Sequence, residues 1–284
     1  MRQIAIYGKG GIGKSMVSSH ISFALANKGL KVMHVGCDPK HDSTRLLLMG
    51  KMPKTILDTL RKKNFAIQHV ARDEVVFESP LKLECDGKIY CAESGGPDPG
   101  LGCGGKGVIE AIETLQHLNV YRELELDVVL YDVLGDVVCG GFSMPIRQGY
   151  AEEIYIVSSG EIEVLFAASN ICKAISRFTS RSGAKLGGII GNLRELKNEE
   201  DILNKFAELL GTHVVGFIPY SEIIKECSGK GMTLFQLAPH SKECDAFQKL
   251  TDGIWNNKEF SVPKSINFED LYAWWKKLVA KRNA

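Results

Sequence analysis

Gly8-Lys9-Gly10-Gly11-Ile12-Gly13-Lys14-Ser15 fits G-x-x-x-x-G-K-[ST], the spacing that wraps backbone amides around a chain of phosphates. The glycines let N–H groups converge on phosphate oxygens, and a helix opening at the motif adds its positive end. Lys14 is expected at the β- and γ-phosphates, with the Ser15 hydroxyl on Mg²⁺. Two acidic segments supply the rest of an ATPase: Asp38-Pro39-Lys40-His41-Asp42-Ser43-Thr44 and Asp132-Val133-Leu134-Gly135-Asp136. D-x-x-G at a strand end suits a loop whose glycine N–H senses the γ-phosphate while its aspartate contacts Mg²⁺ or water. Cys103 and Cys139 suggest a different chemistry, each being crowded by glycines in LGCGGKG and VVCGG. Such surroundings suit close approach of backbone amides to a bulky inorganic anion, and amide hydrogen bonds to cluster sulfurs tune a cluster's potential. Two thiolates are too few for a four-cysteine cluster, but a two-fold dimer with both loops near its axis supplies four. Spacing alone fits two ordinary buried cysteines equally well, because free cysteine packs as a small hydrophobe.

These side chains need a scaffold that brings distant loops together. Short β-branched runs predict strands at Gln3–Tyr7, Lys31–Val35, Val128–Tyr131, Glu153–Val157, Leu186–Gly191 and Val214–Ile218. Several are nearly all apolar, as expected when helices cover both faces of a parallel sheet. Helical stretches such as Met16–Ala26 and Gly107–Leu118 lie between them. The order predicts a doubly wound, mainly parallel α/β fold of P-loop NTPase topology, with its site at the carboxyl ends of the strands. Glu93–Gly107, with seven glycines and two prolines, is predicted as a loop of special backbone geometry. No repeat, low-complexity tract or linker divides the chain, so residues 1–284 are read as one domain.

At 44% hydrophobic and 24% charged residues the composition is that of an ordinary globular protein. A formal charge of +1 gives no global reason to expect nucleic acid or acidic lipid as a partner. Met1 leads directly into Ile4-Ala5-Ile6-Tyr7, and no apolar run is long enough to span a bilayer, so a cytoplasmic location is expected. Eight cysteines in a reducing compartment should be thiols. No pair forms C-x-x-C, so metal ligands must come from distant segments.

G-K-G-G-x-G-K-S is also the deviant P-loop pattern of a dimerising ATPase class. In the proteins it resembles, the first lysine, here Lys9, reaches the nucleotide of the other subunit. From Met1 to about Pro219 the chain resembles the nitrogenase iron-protein family. The resemblance rests on IAIYGKGGIGKS, GCDPKHDSTRLLL, KTILDTLR, ESGGPDPGLGCGGKG, YDVLGDVVCGG, MPIRQG and EEIYIVSSGE. It implies a homodimer bridged by one [4Fe–4S] cluster on Cys103 and Cys139 of both subunits. It also implies MgATP at the P-loop, with Asp38, Lys40, Asp42, Asp132 and Asp136 in the nucleotide-responsive loops and Asp42 joining Ser15 at Mg²⁺. Asn192, otherwise a turn residue after a strand, matches the family position near the adenine. The implied activity is ATP-dependent, low-potential electron delivery to a two-subunit nitrogenase-like protein, with ferredoxin or flavodoxin as donor.

Several residues depart from the family pattern: Met16 after Ser15, Lys106 in place of a modifiable arginine, Tyr220 after Pro219, and a longer Val76–Tyr90. His41 and the Gly-Gly after Cys103 are similar to the iron protein of light-independent protochlorophyllide reductase. A tetrapyrrole reductase component is therefore an alternative. So are a partition or positioning ATPase, which has no use for the two cysteines, and a cluster-assembly carrier. The tail, about 267–282, is predicted as an amphipathic helix capped by Asn267. Its apolar stripe is Phe268, Leu271, Tyr272, Trp275, Leu278 and Val279, and it is expected to dock on its own domain or dimer mate in preference to a membrane.

Overall fold

All six predicted strands lie in one eight-stranded sheet. The structure, a computed structural model, describes residues 1–97, 104–135 and 144–280. In chain order the elements are β1 (Arg2–Tyr7), α1 (Lys14–Ala26), β2 (Lys31–Cys37), α2 (Ile56–Lys62), β3 (Phe77–Glu78), β4 (Lys88–Glu93), α3 (Gly104–His117), α4 (Val120–Glu123), β5 (Val128–Val133) and α5 (Met144–Arg147). There follow β6 (Glu153–Ser158), α6 (Ile162–Ser182), β7 (Lys185–Asn192), α7 (Glu199–Leu210), β8 (Val214–Ile218), α8 (Glu222–Lys230), α9 (Leu234–Leu237), α10 (Lys242–Asn256) and α11 (Phe268–Ala280). The sheet order is β3-β4-β2-β5-β1-β6-β7-β8, and only the β3–β4 pair is antiparallel.

Side-chain alternation along each strand feeds two cores. Ile4, Ile6, Val32, Leu130 and Val157 pack with α1 and α10 on one face. Tyr7, Val35, Tyr131 and Ile156 pack with α2, α3, α6 and α7 on the other. Burial on both faces is why these strands read as continuous apolar runs. The parallel arrangement collects the carboxyl ends of β1, β2, β4, β5 and β7 along one rim. The register aligns them closely: Gly36 of β2 lies between Asp132 of β5 and Glu93 of β4.

The structure adds two strands to the expected set. β4 lies where no strand is expected from the sequence, and Glu93, expected to begin a loop, is its last residue. α3 starts at Gly104, so Gly104–Gly107 is its first turn. Glycines are cheap there, where helix N–H groups have no intrahelical partner. The tail helix forms as expected, with the Asn267 side chain accepting a bond from the Asp270 N–H at 2.8 Å. It docks on its own chain: Leu271 is fully buried and the Trp275 indole donates to the Gly160 carbonyl at 2.9 Å. The predicted stripe is corrected at two places. Tyr272 stays exposed and only stacks on Phe268, which meets Phe166 of α6 edge-on, while Trp274, outside the stripe, packs on the core.

Candidate nucleotide site and its surroundings

The P-loop joins β1 to α1, as its motif requires. Lys9, Gly10 and Gly11 form an exposed rim, whereas Gly8, Ile12 and Lys14 are buried. Gly13 has φ 91°, and a Cβ there would meet the Asn192 Nδ2 at 2.7 Å. Only glycine fits that backbone and that contact. Asn192 ends β7 and donates from Nδ2 to the Ile12 carbonyl at 2.6 Å. It is therefore a buried brace for the loop, not a surface turn residue. Arg194 adds a second brace, donating to the Gly11 carbonyl at 3.1 Å. Glu199, unremarked in the sequence, holds this wall in place by accepting the N–H groups of Gly160 and Arg194 at 2.8 and 2.7 Å. Lys9 shares an open cleft of about 360 Å³ with Glu161, Val164 and Arg194.

Behind the loop lies a buried polar chain. Lys14 Nζ is 3.1 Å from Asp132 Oδ1, with the two side chains 6% and 0% exposed. Ser43 donates to Asp132 Oδ2 at 2.5 Å. Its single proton is thereby used, so His34 Nε2–H donates to Ser43 Oγ at 2.8 Å, and His34 Nδ1 accepts from Ser22 at 2.8 Å. Burial lowers the His34 pKa to about 4, keeping it the neutral relay that this pattern needs. Burial alone would raise the Asp132 pKa, but Lys14, His34 and the hydroxyls of Ser15 and Ser43 outweigh it and hold the carboxyl below its ordinary value. An ionised acid thus stands between the P-loop and the 38–44 segment, the arrangement expected of a group that handles Mg²⁺ and phosphate charge.

The first acidic segment starts at the end of β2. Asp38 is buried and its Oδ1 accepts the Lys40 N–H at 2.9 Å, while Lys40 and Asp42 are exposed on the rim. The second segment lies against the P-loop: a Cβ on Gly135 would be 1.8 Å from the Gly8 carbonyl oxygen. No other residue type permits that approach, which brings the backbones of the two loops into direct contact.

The P-loop cradle, the buried Lys14 and the acid behind it fit MgATP. Cys103, Cys139 and Asp136 lie outside the described residues. Among those described, no group of three or more His, Cys, Asp or Glu is arranged to hold a metal ion. Five of the other six cysteines are packing residues. Cys37, Cys91, Cys172, Cys227 and Cys244 are buried, and Cys85 is exposed. Burial pushes the thiols of Cys37, Cys91 and Cys172 well up and those of Cys227 and Cys244 to about 11, the opposite of what ligation requires.

A family model described as 4Fe-4S iron sulfur cluster binding proteins, NifH/frxC family, matches residues 2–279. The chain belongs to this family. Among NifH/frxC-type relatives, nitrogenase iron protein 2 of Methanothermococcus thermolithotrophicus is 45% identical over 281 residues, 98% of this chain and 96% of the relative. The nitrogenase iron protein of Methanospirillum hungatei is 45% identical over 273 residues, 95% and 94% of the two chains. Family membership places the chain among ATP-hydrolysing electron-transfer components. Solved structures similar in fold include the cell division ATPase MinD of Pyrococcus furiosus, with TM-score 0.66, 20% identity, and 89% and 98% of the two chains covered. A ParA family ATPase from Chlorobium tepidum has TM-score 0.64 and 17% identity, covering 88% and 97%. These likenesses show the P-loop fold alone. They give the partition-ATPase alternative no support beyond architecture, whereas the NifH/frxC match runs through the tail helix.

Proposed function

We propose that this protein is an ATP-dependent, low-potential electron carrier. Two copies form the working unit, bridged by one [4Fe–4S] cluster on Cys103 and Cys139 of both subunits. The observation that carries the reading is the contact of Gly135 with Gly8, four residues before Cys139, in a chain of a cluster-binding family. When bound, the cluster supplies a one-electron couple whose potential responds to charge, exposure and hydrogen bonds on its sulfurs.

The protein's own residues do the rest. Gly8 to Ser15 seat the triphosphate, with Lys14 neutralising the β- and γ-phosphate oxygens and Ser15 and Asp42 holding Mg²⁺. Lys14 then exchanges its Asp132 partner for phosphate, freeing the acid and, through Ser43, the 38–44 segment. Gly135 cannot stay against Gly8 unless it follows any shift of the P-loop. The displacement passes along Asp136 towards Cys139, where it changes the surface offered to a partner. Asp38, Lys40 and Asp136 respond to the γ-phosphate. Lys9 reaches the nucleotide of the other subunit, and Asn192 sits beside the base while bracing the loop.

We place the protein in the cytoplasm, and no described helix is long and apolar enough to cross a membrane. Its acceptor is a two-subunit nitrogenase-like protein and its donor a ferredoxin or flavodoxin. Cys103→Ser and Cys139→Ser should each remove the visible absorption and EPR signal of anaerobically purified protein while the dimer still binds MgATP. Retention of full signals by both variants would overturn the assignment.

A further inference from the structure

Glu93 is a fully buried acid with no part in the nucleotide chemistry. Its Oε1 accepts two hydrogen bonds from one residue, the Thr44 N–H at 2.6 Å and the Thr44 hydroxyl at 2.8 Å. Its Oε2 is buried without a hydrogen-bond partner among the described residues. The carboxyl presses against Gly36, where a Cβ would be 1.9 Å from Oε2. Leaving a buried polar atom unpaired destabilises the fold. Packing alone does not account for keeping an acid here.

Its connections are more informative. Thr44 closes the segment that begins at Asp38 and contains Asp42. Glu93 opens the segment that leads to Cys103, and its neighbours pass any movement on. The Ser94 N–H donates to the Gly36 carbonyl at 2.8 Å, and the Ser94 carbonyl accepts the Leu57 N–H at 3.1 Å. The Gly95 carbonyl oxygen lies 2.8 Å from where a Cβ would stand on Gly107, in the first turn of α3. Residues 93–95 are thus clamped to Thr44 on one side and to α2 and α3 on the other.

We propose that Glu93 is a positioning residue that yokes the nucleotide segment, through Thr44, to the root of the chain bearing Cys103. The nucleotide then has two routes to the cysteines, one in each half of the pair: Gly135 towards Cys139, and Thr44–Glu93 towards Cys103. The inference rests on the proposed ATP-driven function and adds a second arm to it.

Amide hydrogen exchange on the cluster-loaded dimer, with and without MgATP, tests it. In the parent protein MgATP should alter exchange both at residues 38–44 and at residues 94–96 with the first turn of α3. In Glu93→Ala the response at 38–44 should persist, while that at 94–96 should shrink about fivefold or more, a coupling of ordinary allosteric size. Glu93→Gln keeps the Oε1 acceptor and should restore it, whereas Glu93→Met, of similar volume but without that acceptor, should not, although a purely space-filling role would let it. Thr44→Val, nearly isosteric, should give a partial loss and serves if Glu93→Ala does not fold. Full response at 94–96 in Glu93→Ala or in Thr44→Val overturns the yoke, as does a loss in Glu93→Gln equal to that in Glu93→Ala. A parent protein responding at 38–44 alone also defeats it. No response anywhere in the parent protein would instead defeat the ATP-driven function beneath it.

Discussion

Lys14→Met should lower MgATP hydrolysis, measured with the electron acceptor present, by about 10²–10³-fold, the usual cost of removing one preorganised charge from a phosphoryl or oxyanion site. The same substitution should lower unfolding free energy without nucleotide by about 3–5 kcal/mol, because it strands a buried charge. Asp132 is fully buried and 3.1 Å from Lys14 Nζ, so no water replaces the lost ammonium. The Ser43 hydroxyl still donates to it at 2.5 Å and the Ser15 hydroxyl also bonds it, which places the effect nearer the lower end. The sign with pH follows from the depressed Asp132 pKa. Its stabilising contribution is complete above the unfolded value of 3.8 and is lost as pH falls through the lower folded value. The parent protein's advantage over Lys14→Met should therefore shrink in acid. Hydrolysis by Lys14→Met within tenfold of the parent protein would contradict the role given to this residue.

Glu93→Gln should change the pH dependence of stability more than any surface substitution. Burial raises the Glu93 pKa from 4.5 to about 8, against the lowering by its two Thr44 bonds and with smaller raises from the charges of Asp132 and Asp42. The unfolded chain releases this proton above about 4.5, while the folded chain holds it until about 8. Stability contributed by the protonated acid is therefore whole below 4.5 and is lost progressively up to about 8. The slope approaches about 1.4 kcal/mol per pH unit inside that window. Glutamine does not titrate. The difference in unfolding free energy between the two proteins, measured in urea at fixed protein concentration, should tilt towards the variant from pH 5 to 8 by up to about 3–4 kcal/mol. The other groups facing Glu93 titrate elsewhere: Asp132 lies below the window, and the raised thiols of Cys37 and Cys91 lie above it. Parallel pH profiles for the two proteins would show that Glu93 is ionised in the folded state.

The nucleotide site was legible from sequence because its parts are local. Eight consecutive residues, a preceding apolar strand and a following helix define it, and the structure places Lys14 and Asp132 together as those motifs imply. The braces around it were not legible. Asn192 reaches Ile12 across 180 positions, and nothing in Gly-Asn-Leu-Arg announces that bond. Glu93 looked like the start of a glycine-rich loop because β4 is short, charged at both ends and preceded by an irregular segment. Only the register of β4 on β2 places the acid against Gly36 and within reach of Thr44. His34 carried a faint signal, a polar residue within Lys-Val-Met-His-Val, whose meaning depends on Ser22 and Ser43 arriving from two other elements. In the tail helix the stripe misjudged Trp274 and Tyr272, because the helix docks between residues of both α6 and α7, Phe166 and Phe206, and so turns Trp274 inward. The cysteine pair stands differently: glycine crowding left two readings open, and family resemblance chose between them.

The central claim is that MgATP acts on a cluster held by Cys103 and Cys139. Its most direct test is the rate at which an iron chelator removes iron from the reduced, cluster-loaded dimer. MgATP should change that rate by about tenfold, within the 5–150-fold span of a coupling of 1–3 kcal/mol, and MgADP should change it less. A chelation rate indifferent to MgATP, in protein shown to bind it, would contradict the account.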